Sequence, residues 1–313
     1  MAEIKEKNIT QITENLKELL TEAVKESCTE KRVGVIFSAG IDSTIIALLA
    51  SQFSEVTAYT VGVSNSHDVV FAEKLKENSN FKINIIKIDI GDVENAAIDV
   101  IKIIEIPNSV KVSVGIPFYI ASKKASEDGI KVMLCGQGAD ELFGGYNRYI
   151  ECIRDIENIE NDKNIKDNNY LKISEMIKYD VENIYENQLK NDIAICRSNS
   201  IGLHAPFMDD EFKNYASAIP IELKIYELKD EDIGFSCIDK IDNKKFIRKF
   251  ILRKVAQEIK IPDFIINRQK KAAQYGSGTQ KILSKIARNN NFKAKAKKEG
   301  RTDYVNMFLE EFI

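Results

Sequence analysis

The 313-residue sequence predicts an α/β fold, in which a doubly wound parallel sheet is joined to a mainly helical C-terminal lobe. Short apolar runs rich in β-branched residues recur in the first half of the chain and predict buried strands over 33–37, 56–63, 83–88 and 132–135. Helical patterns alternate with them over 45–49, 69–77, 93–104 and 116–126, with Pro117 in the first turn of the last. This alternation favours parallel pairing of the strands through right-handed crossovers.

The chain changes character near residue 150. An amphipathic helix over 8–27 precedes the first strand. Beyond residue 150, a polar stretch over 158–169 predicts a surface insertion, and helical patterns dominate over 170–198, 210–218 and 243–259. The segment 223–241 fits either a short hairpin or an irregular excursion. We therefore predict an α/β lobe over 1–150 and a mainly helical lobe over 151–313.

The composition argues against several classes of protein. Hydrophobic residues make up 44% and charged residues 30%, which are ordinary globular values. A net charge of −3 gives no basic surface for non-specific binding, so a nucleic acid is not an expected partner. Five scattered cysteines without a CxxC pair argue against a disulfide framework or a zinc site. The sequence has neither an 18-residue apolar stretch nor a signal peptide, so we expect a soluble, cytoplasmic protein without a membrane partner.

The turn after the first strand, SAGIDS at 38–43, has the features of an anion site. Small residues with a hydroxyl at each end lead into a helix start, where unpaired backbone N–H groups and the positive end of the helix dipole favour phosphate. Its spacing matches neither the GxxxxGKS/T loop nor the GxGxxG loop. The alternative is an ordinary strand-to-helix turn.

The loop after the fourth strand, GQGADELFGGY at 136–146, is the second informative stretch. Because ligands of such sheets bind at the carboxyl ends of the strands, we expect this loop to face the same crevice as the first. Its glycines permit a close approach of the backbone. Asp140 and Glu141, at the start of the next helix, either cap that helix or hold a divalent cation on phosphates, and Asp42 in the first loop favours the cation.

Together the two loops resemble motifs of a known family. SAGIDS resembles the PP-loop of ATP pyrophosphatases, and with GQGADELFGGY it resembles the synthetase domain of class B asparagine synthetases, of which β-lactam synthetase is a relative. Further segments resemble, in family order, its RxPFLD segment, its KxxLR helix and its RxK loop, at 204–209, 249–253 and 268–270. The resemblance covers residues 33 to about 278. It implies an adenine nucleotide α-hydrolase-like fold, with ATP bound by 1–150 and a synthetase lobe over 151–313 that completes the active site.

The resemblance implies an ATP-dependent carbon–nitrogen ligase. Such an enzyme adenylates a small carboxylate (aspartate or similar) with release of pyrophosphate, and an amine then displaces AMP to form an amide. The residues implied to bind ATP are Ile36, Ser38, Ala39, Gly40, Asp42, Ser43, Val61 and Gly136. The implied Mg²⁺ ligands are Asp42 and Asp140. The implied catalytic residues are Gln137, Asp140, Lys249 and Lys270, with Lys270 stabilising charge at the α-phosphorus and Lys249 a second candidate for that role.

The chain departs from the family pattern at three positions. Gln137 stands where the family has a glutamate that is associated with the amine step, and an amide cannot accept a proton as a carboxylate does. His204 replaces the arginine of RxPFLD, which removes a permanently charged, forked donor. Ala39 replaces a glycine of the PP-loop. Adenylation is therefore predicted more firmly than amide formation from aspartate and ammonia.

The nitrogen source follows from a further feature of the family. Members that use glutamine carry an amidohydrolase domain ahead of the synthetase domain, whereas here Ala2 follows Met1 and one helix leads to the first strand. We expect a stand-alone form that takes ammonia, another amine, or ammonia from a separate glutaminase subunit. Two other functions stay open. One is a nucleotide-binding regulatory or scaffold protein that has lost amidation, which Gln137 and His204 would suit. The other is a tRNA-modifying ATP pyrophosphatase, against which the pI near 5.7 argues.

Overall fold

The computed structural model describes residues 2–157, 165–228, 234–241 and 243–313. Within these ranges the strands are β1 Arg32–Ile36, β2 Glu55–Val63, β3 Lys82–Ile88, β4 Val132–Leu134, β5 Gly202–His204, β6 Ile225–Glu227, β7 Asp239–Ile241 and β8 Lys244–Arg248. The helices are α1 Ala2–Ser27, α2 Ile41–Ala50, α3 His67–Lys76, α4 Ile90–Ile104, α5 Ser109–Glu127, α6 Ala139–Phe143, α7 Asn147–Glu157, α8 Ile165–Ile184, α9 Lys190–Ser198, α10 Asp210–Ala218, α11 Ile221–Lys224, α12 Phe250–Glu258, α13 Asp263–Ile266, α14 Ala273–Gly276, α15 Thr279–Asn289, α16 Phe292–Lys298 and α17 Tyr304–Glu310. A π-helical turn, Tyr185–Leu189, and a 3₁₀ turn, Pro206–Met208, complete them.

These elements form two compact units, and each unit takes its residues from three separate stretches of chain. The sheet unit comprises Cys28–Cys135, Glu186–His204 and Lys271–Ile313. The helical unit comprises Met1–Ser27, Gly136–Tyr185 and Ala205–Lys270. The predicted division at residue 150 concerns contiguous segments and their roles, and it stays a prediction.

The sheet unit confirms the predicted fold class. Its five strands lie in the order β3-β2-β1-β4-β5, and all of them are parallel. The strand order reverses between β1 and β4, which is the switch point at which ligands of doubly wound sheets bind. The first four strands agree with the sequence prediction to within a residue at each end. The fifth, β5, was not predicted, because three residues carry too short a pattern to stand out.

Pro117 lies inside a helix, and its predicted place in a first turn is wrong. Asn108 caps α5, since its side chain accepts hydrogen bonds from the N–H groups of Val110 and Lys111, so the helix begins seven residues earlier than predicted. A proline at this position leaves the carbonyl of the residue four positions back without its helical donor. That carbonyl belongs to Ser113, and it accepts a hydrogen bond of 2.7 Å from Thr279 Oγ1 at the start of α15. The side chain therefore replaces the missing N–H.

The helical unit contains a second, three-stranded antiparallel sheet in the order β6-β8-β7. The predicted helix over 243–259 is wrong in its first half, because residues 244–248 form β8 and the helix begins only at Phe250. The segment 223–241 contributes β6 and β7 on either side of β8, and its residues 229–233 lie outside the described ranges. The predicted insertion at 158–169 also lies mostly outside them, and α8 begins at its residue 165.

Two apolar clusters hold the helical unit together. Near the second sheet, buried side chains of α7, α8, α11 and the strands pack on one another; they are Tyr149, Ile150, Cys152, Ile173, Ile177, Ile221, Ile225 and Phe246. The rings of Phe143, Phe207 and Phe212 meet at centroid distances of 5.7 to 6.5 Å. Asp209 caps α10 beside them through the N–H of Phe212, which fixes the segment that resembles RxPFLD.

Candidate functional site

In the sheet unit, the turn between β1 and α2 is ordered by its own hydroxyl groups. Ser43 Oγ accepts a hydrogen bond from the N–H of Ser38 at 3.3 Å, and the hydroxyl groups of Ser38 and Ser43 lie 3.4 Å apart. Gly40 N–H donates to Ser38 Oγ at 3.3 Å, and Gly40 O accepts from Thr44 Oγ1 at 2.7 Å. The predicted anion-binding residues Ser38, Gly40 and Ser43 are therefore brought together in one turn.

Ala39 adopts a left-handed backbone conformation, with φ of 52°, and is fully buried. This conformation suits glycine, which is the family residue at the position, because a Cβ atom is disfavoured there. The methyl group of Ala39 is therefore accommodated at some cost in backbone strain.

The end of the turn also fits an anion. Gly40 is the N-cap of α2, and no side chain among the described residues caps this helix through a hydrogen bond. Asp42 lies half-buried in the first turn of α2. Ile36 ends β1, and Val61 lies on β2 two positions beyond the partner of Ile36, so both lie toward the carboxyl ends of neighbouring strands.

In the helical unit, the predicted catalytic residues Asp140, Lys249 and Lys270 meet. Asp140 Oδ1 forms an ion pair with Lys249 Nζ at 2.7 Å, and Asp140 Oδ2 accepts a hydrogen bond from Lys270 Nζ. The Lys249 side chain is only 2% exposed, whereas that of Lys270 is 27% exposed. Burial acts to raise the pKa of the Asp140 carboxyl, but the charges of Lys249 and Lys270 outweigh it and hold that pKa far below its ordinary value. The cluster thus carries one carboxylate and two ammonium groups.

Backbone geometry explains how Lys249 reaches this place. Lys249 lies between β8 and α12 with φ of 55°, a conformation that is uncommon outside glycine. The bend separates strand from helix and directs the lysine inward. Gly145 lies directly against the pair, because a Cβ atom there would overlap Asp140 Oδ1 and Lys249 Cε. Only glycine leaves room for both side chains.

Arg248 holds the glycine loop in place and was missed by sequence reasoning. Its Nη1 donates to Gly145 O at 2.7 Å. Its Nε and Nη2 donate to the two carboxylate oxygens of Asp239 at 2.8 and 2.9 Å, which makes a bidentate pair. Arg248 therefore connects β7 to the loop beside Asp140. The one feature of the sequence that pointed to Arg248 was its position directly before Lys249.

Glu141, which was predicted with Asp140 as a helix cap or a cation ligand, pairs with the partly buried Tyr146, for which the sequence suggested no role. Tyr146 Oη donates to Glu141 Oε1 at 2.5 Å. Burial, followed by the charge of Asp140, raises the pKa of the Glu141 carboxyl. Burial and the Glu141 charge also raise the pKa of the Tyr146 hydroxyl. The pair places a titratable carboxyl beside the lysine cluster, and the motif GQGADELFGGY already contained both residues.

The remaining predicted residues lie at the ends of β4 and β5. Gly136 and Gln137 are partly exposed and follow Cys135, whose N–H donates to His204 O at 2.9 Å. His204 ends β5 and is half-buried, and burial lowers the pKa of its imidazole. At neutral pH this histidine is therefore uncharged, so it does not reproduce the permanent charge of the arginine it replaces.

Asp42 and Asp140 are the predicted magnesium ligands, and their surroundings differ. Among the described residues, no group of three or more His, Cys, Asp or Glu side chains is arranged to hold a metal ion. A magnesium ion held on phosphates does not need such a group, since one or two carboxylates suffice. Asp42 fits that donor set. At Asp140 both carboxylate oxygens already contact lysines, so a metal ion would have to share or replace an ammonium group there.

Comparison with known proteins identifies relatives that match most of this chain. The sequence profile of the family described as asparagine synthase matches residues 15–157 and 152–310. A Methanocaldococcus jannaschii protein that carries the name asparagine synthetase (glutamine-hydrolyzing) 1 is 38% identical over 316 residues, which cover 95% of this chain and 54% of the relative. The asparagine synthetase (glutamine-hydrolyzing) of Sandersonia aurantiaca is 28% identical over 274 residues, which cover 82% of this chain and 46% of the relative. The chain spans about half the length of these curated relatives.

Proposed function

Because the chain belongs to the asparagine synthase family, we propose that it is an ATP-dependent ligase that converts a small carboxylate into an amide. In the first step a carboxylate oxygen of the substrate attacks the α-phosphorus of ATP, and the bond to the β-phosphate oxygen breaks to release pyrophosphate. In the second step an amine nitrogen attacks the acyl carbon, AMP leaves, and the nitrogen loses a proton to solvent.

The lysine cluster of the helical unit is the observation that carries this proposal. Asp140, Lys249 and Lys270 come from three separate motifs, up to 130 positions apart, and converge on one carboxylate. Fixed ammonium groups stabilise negative charge that develops on a phosphoryl group, provided that they are held in position beforehand. Asp140 supplies that positioning. Lys270, the more exposed of the two lysines, is proposed to contact the phosphates, and the buried Lys249 is proposed to keep Asp140 in place.

The turn at 38–43 supports the ATP part of the proposal. We propose that the hydroxyl groups of Ser38 and Ser43 and the backbone of Ala39 and Gly40 hold the pyrophosphate portion, since the start of α2 offers N–H groups to an anion. Ile36, Val61 and Gly136 are proposed to line the adenosine.

Magnesium is part of the proposal at Asp42, whose carboxylate suits an ion held on phosphates. Such an ion would neutralise charge on the departing pyrophosphate. Asp140 as a second ligand stays a prediction, because its oxygens contact Lys249 and Lys270. None of the helices within the described ranges combines the length and apolar composition needed to cross a membrane.

For the carboxylate substrate and the nitrogen source, we propose chemical classes rather than single compounds. Two relatives carry names that describe asparagine synthesis and glutamine hydrolysis. We propose aspartate or a similar small carboxylate as substrate, and ammonia, another amine or a separate glutaminase subunit as the nitrogen source. Gln137 leaves the amine step without the carboxylate that the family has there, so this step is proposed to be the slower one.

The test is to incubate the protein with ATP labelled at the α-phosphate, Mg²⁺, aspartate and ammonium. AMP and pyrophosphate should accumulate, and asparagine should form if aspartate is the substrate. Replacing Lys270→Met should slow pyrophosphate release by about 10² to 10³ fold, because one charge at the phosphates is lost. The matched control is Lys271→Met, which removes the neighbouring exposed lysine and should leave the rate unchanged.

The other outcomes are equally informative. ADP and inorganic phosphate as products would overturn the proposal, and so would full activity of Lys270→Met. Binding of ATP without any release of pyrophosphate would favour the regulatory or scaffold function instead. Retention of tRNA at low salt, together with adenylation of the RNA, would favour the tRNA-modifying function.

A further inference from the structure

The helical unit contains a cavity that the proposed reaction does not use. It has a volume of about 450 Å³ and is bounded by α8, the C-terminal half of α10, the segment that leads into α11, and α11 itself. This volume lies within the range of small-molecule sites in proteins. Its apolar wall is formed by Ile177, Val181, Ile219 and Ile221. A cavity with these walls accommodates an aliphatic or aromatic body.

One wall carries a buried positive charge. Lys224, the last residue of α11, lines the cavity and is only 3% exposed. Among the residues that the structure describes, its Nζ donates one hydrogen bond, of 3.3 Å, to the carbonyl of Ser217, another residue of the wall. An ammonium group has three donors, so two of them have no hydrogen-bond acceptor within the described ranges. Burial lowers the pKa of this lysine to about 8, which leaves it mostly charged at neutral pH.

The other charged groups of the wall are already paired. Lys178 lies 3.9 Å from Glu182, and Lys213 lies 2.6 Å from Asp210. Lys224 forms no ion pair with any residue that the structure describes. A buried charge without a counter-charge is unfavourable. A ligand that brings the opposite charge removes this cost, and its binding is favoured for that reason. As far as the described residues show, Lys224 is the one charge of the wall without a counter-charge, and it lies beside the apolar wall.

We propose that this cavity is a second binding site, which takes a small monocarboxylate with a short branched aliphatic or aromatic body and anchors its carboxylate on Lys224. The match in charge is one to one, since a single ammonium group balances a monoanion and leaves a dianion such as phosphate undercompensated. The site lies wholly within the helical unit and does not depend on the proposed ligase activity.

The experiment compares two probes of the same shape, 4-methylpentanoate and its uncharged amide 4-methylpentanamide, by isothermal titration calorimetry on the full chain at pH 7. The carboxylate should bind at least about ten-fold more tightly than the amide, a difference of roughly 1.4 kcal/mol. Lys224→Met keeps the length of the side chain and removes the charge, and it should abolish that preference. At pH 9.5 the preference should fall by roughly ten-fold in the unmodified protein, because Lys224 is then mostly deprotonated.

The matched control is Lys178→Met, which removes a lysine of the same wall that is 75% exposed and paired with Glu182. This variant should keep the preference for the carboxylate. Equal binding of both probes, no saturable binding of either, an unchanged preference in Lys224→Met, or a preference lost in Lys178→Met would each overturn the proposal. Tighter binding of inorganic phosphate than of the carboxylate would overturn it as well.

Discussion

Ala39 lies in the turn between β1 and α2 with a left-handed backbone that its side chain disfavours. Its φ of 52° is a conformation that glycine adopts without strain. We predict that Ala39→Gly raises the free energy of unfolding by about 0.5 to 1 kcal/mol, because relief of the strain exceeds the added freedom of the unfolded chain. Urea unfolding at equilibrium measures it.

The control for this prediction is Ala47→Gly, in the middle of α2 and equally buried. There the same change should lower the free energy of unfolding by about 1 kcal/mol, because helix interiors disfavour glycine. Opposite signs at the two positions support the strain at residue 39. A loss of stability at both positions would contradict it.

Gly145 is a residue whose lack of a side chain matters for the lysine cluster. We predict that Gly145→Ala displaces Asp140 or Lys249 and slows pyrophosphate release by at least about 10² fold, since misplaced catalytic groups cost that much. Gly202→Ala is the comparison, because a Cβ atom there meets nothing closer than 3.7 Å. Equal rates in the two variants would argue against the crowding at residue 145.

For single residues, the sequence predicted which side chains belong to the lysine cluster better than it predicted their contacts. Asp140, Lys249 and Lys270 were each predicted from a motif, and the structure brings them together. Arg248 and the pairing of Tyr146 with Glu141 were missed, because both depend on contacts that only the fold supplies. Asp239, which holds Arg248, lies in a strand that sequence reasoning left undecided.

Among the elements, the boundary between β8 and α12 is the clearest departure from prediction. Apolar residues at helical spacing continue across 243–259, so periodicity alone extends the helix. Pairing of residues 244–248 with β6 and β7 overrides this preference. The left-handed backbone of Lys249 then makes the turn, and a lysine carries no local signal for that conformation.

The start of α15 supports α5 through one hydroxyl group. We predict that Thr279→Val lowers the free energy of unfolding by about 1 to 3 kcal/mol, because the carbonyl of Ser113 loses its donor. Pro117→Ala restores a backbone N–H for that carbonyl. In this background the cost of Thr279→Val should shrink by about 1 kcal/mol or more, as a double-mutant cycle measures. Additive effects would contradict the exchange of one donor for the other.

For the molecule as a whole, Lys224 gives stability a dependence on pH. Its pKa is lowered by burial to about 8, against an ordinary value of 10.5, so the unfolded chain binds more protons than the folded one between these values. The contribution of Lys224 to the free energy of unfolding therefore rises with pH across that window, and its full cost is present below pH 8.

We predict that Lys224→Met raises the free energy of unfolding by roughly 3 kcal/mol at pH 7 and by much less at pH 10. Urea unfolding at the two pH values measures the difference. Lys178→Met, at an exposed position, should change the free energy of unfolding by close to zero at both pH values. A gain for Lys224→Met that does not change with pH would point to packing rather than charge.

The interleaved course of the chain has a practical consequence for anyone who divides the gene. A fragment ending at residue 150 would carry β4 without β5, since β5 arrives only at residues 202–204, and the bare margin of the sheet would invite self-association. It would also carry α1, whose packing partners α10 and α12 belong to the other fragment. Neither fragment should therefore be stable when produced alone. Co-production of the two fragments would let β5 pair with β4, and α10 and α12 pack on α1.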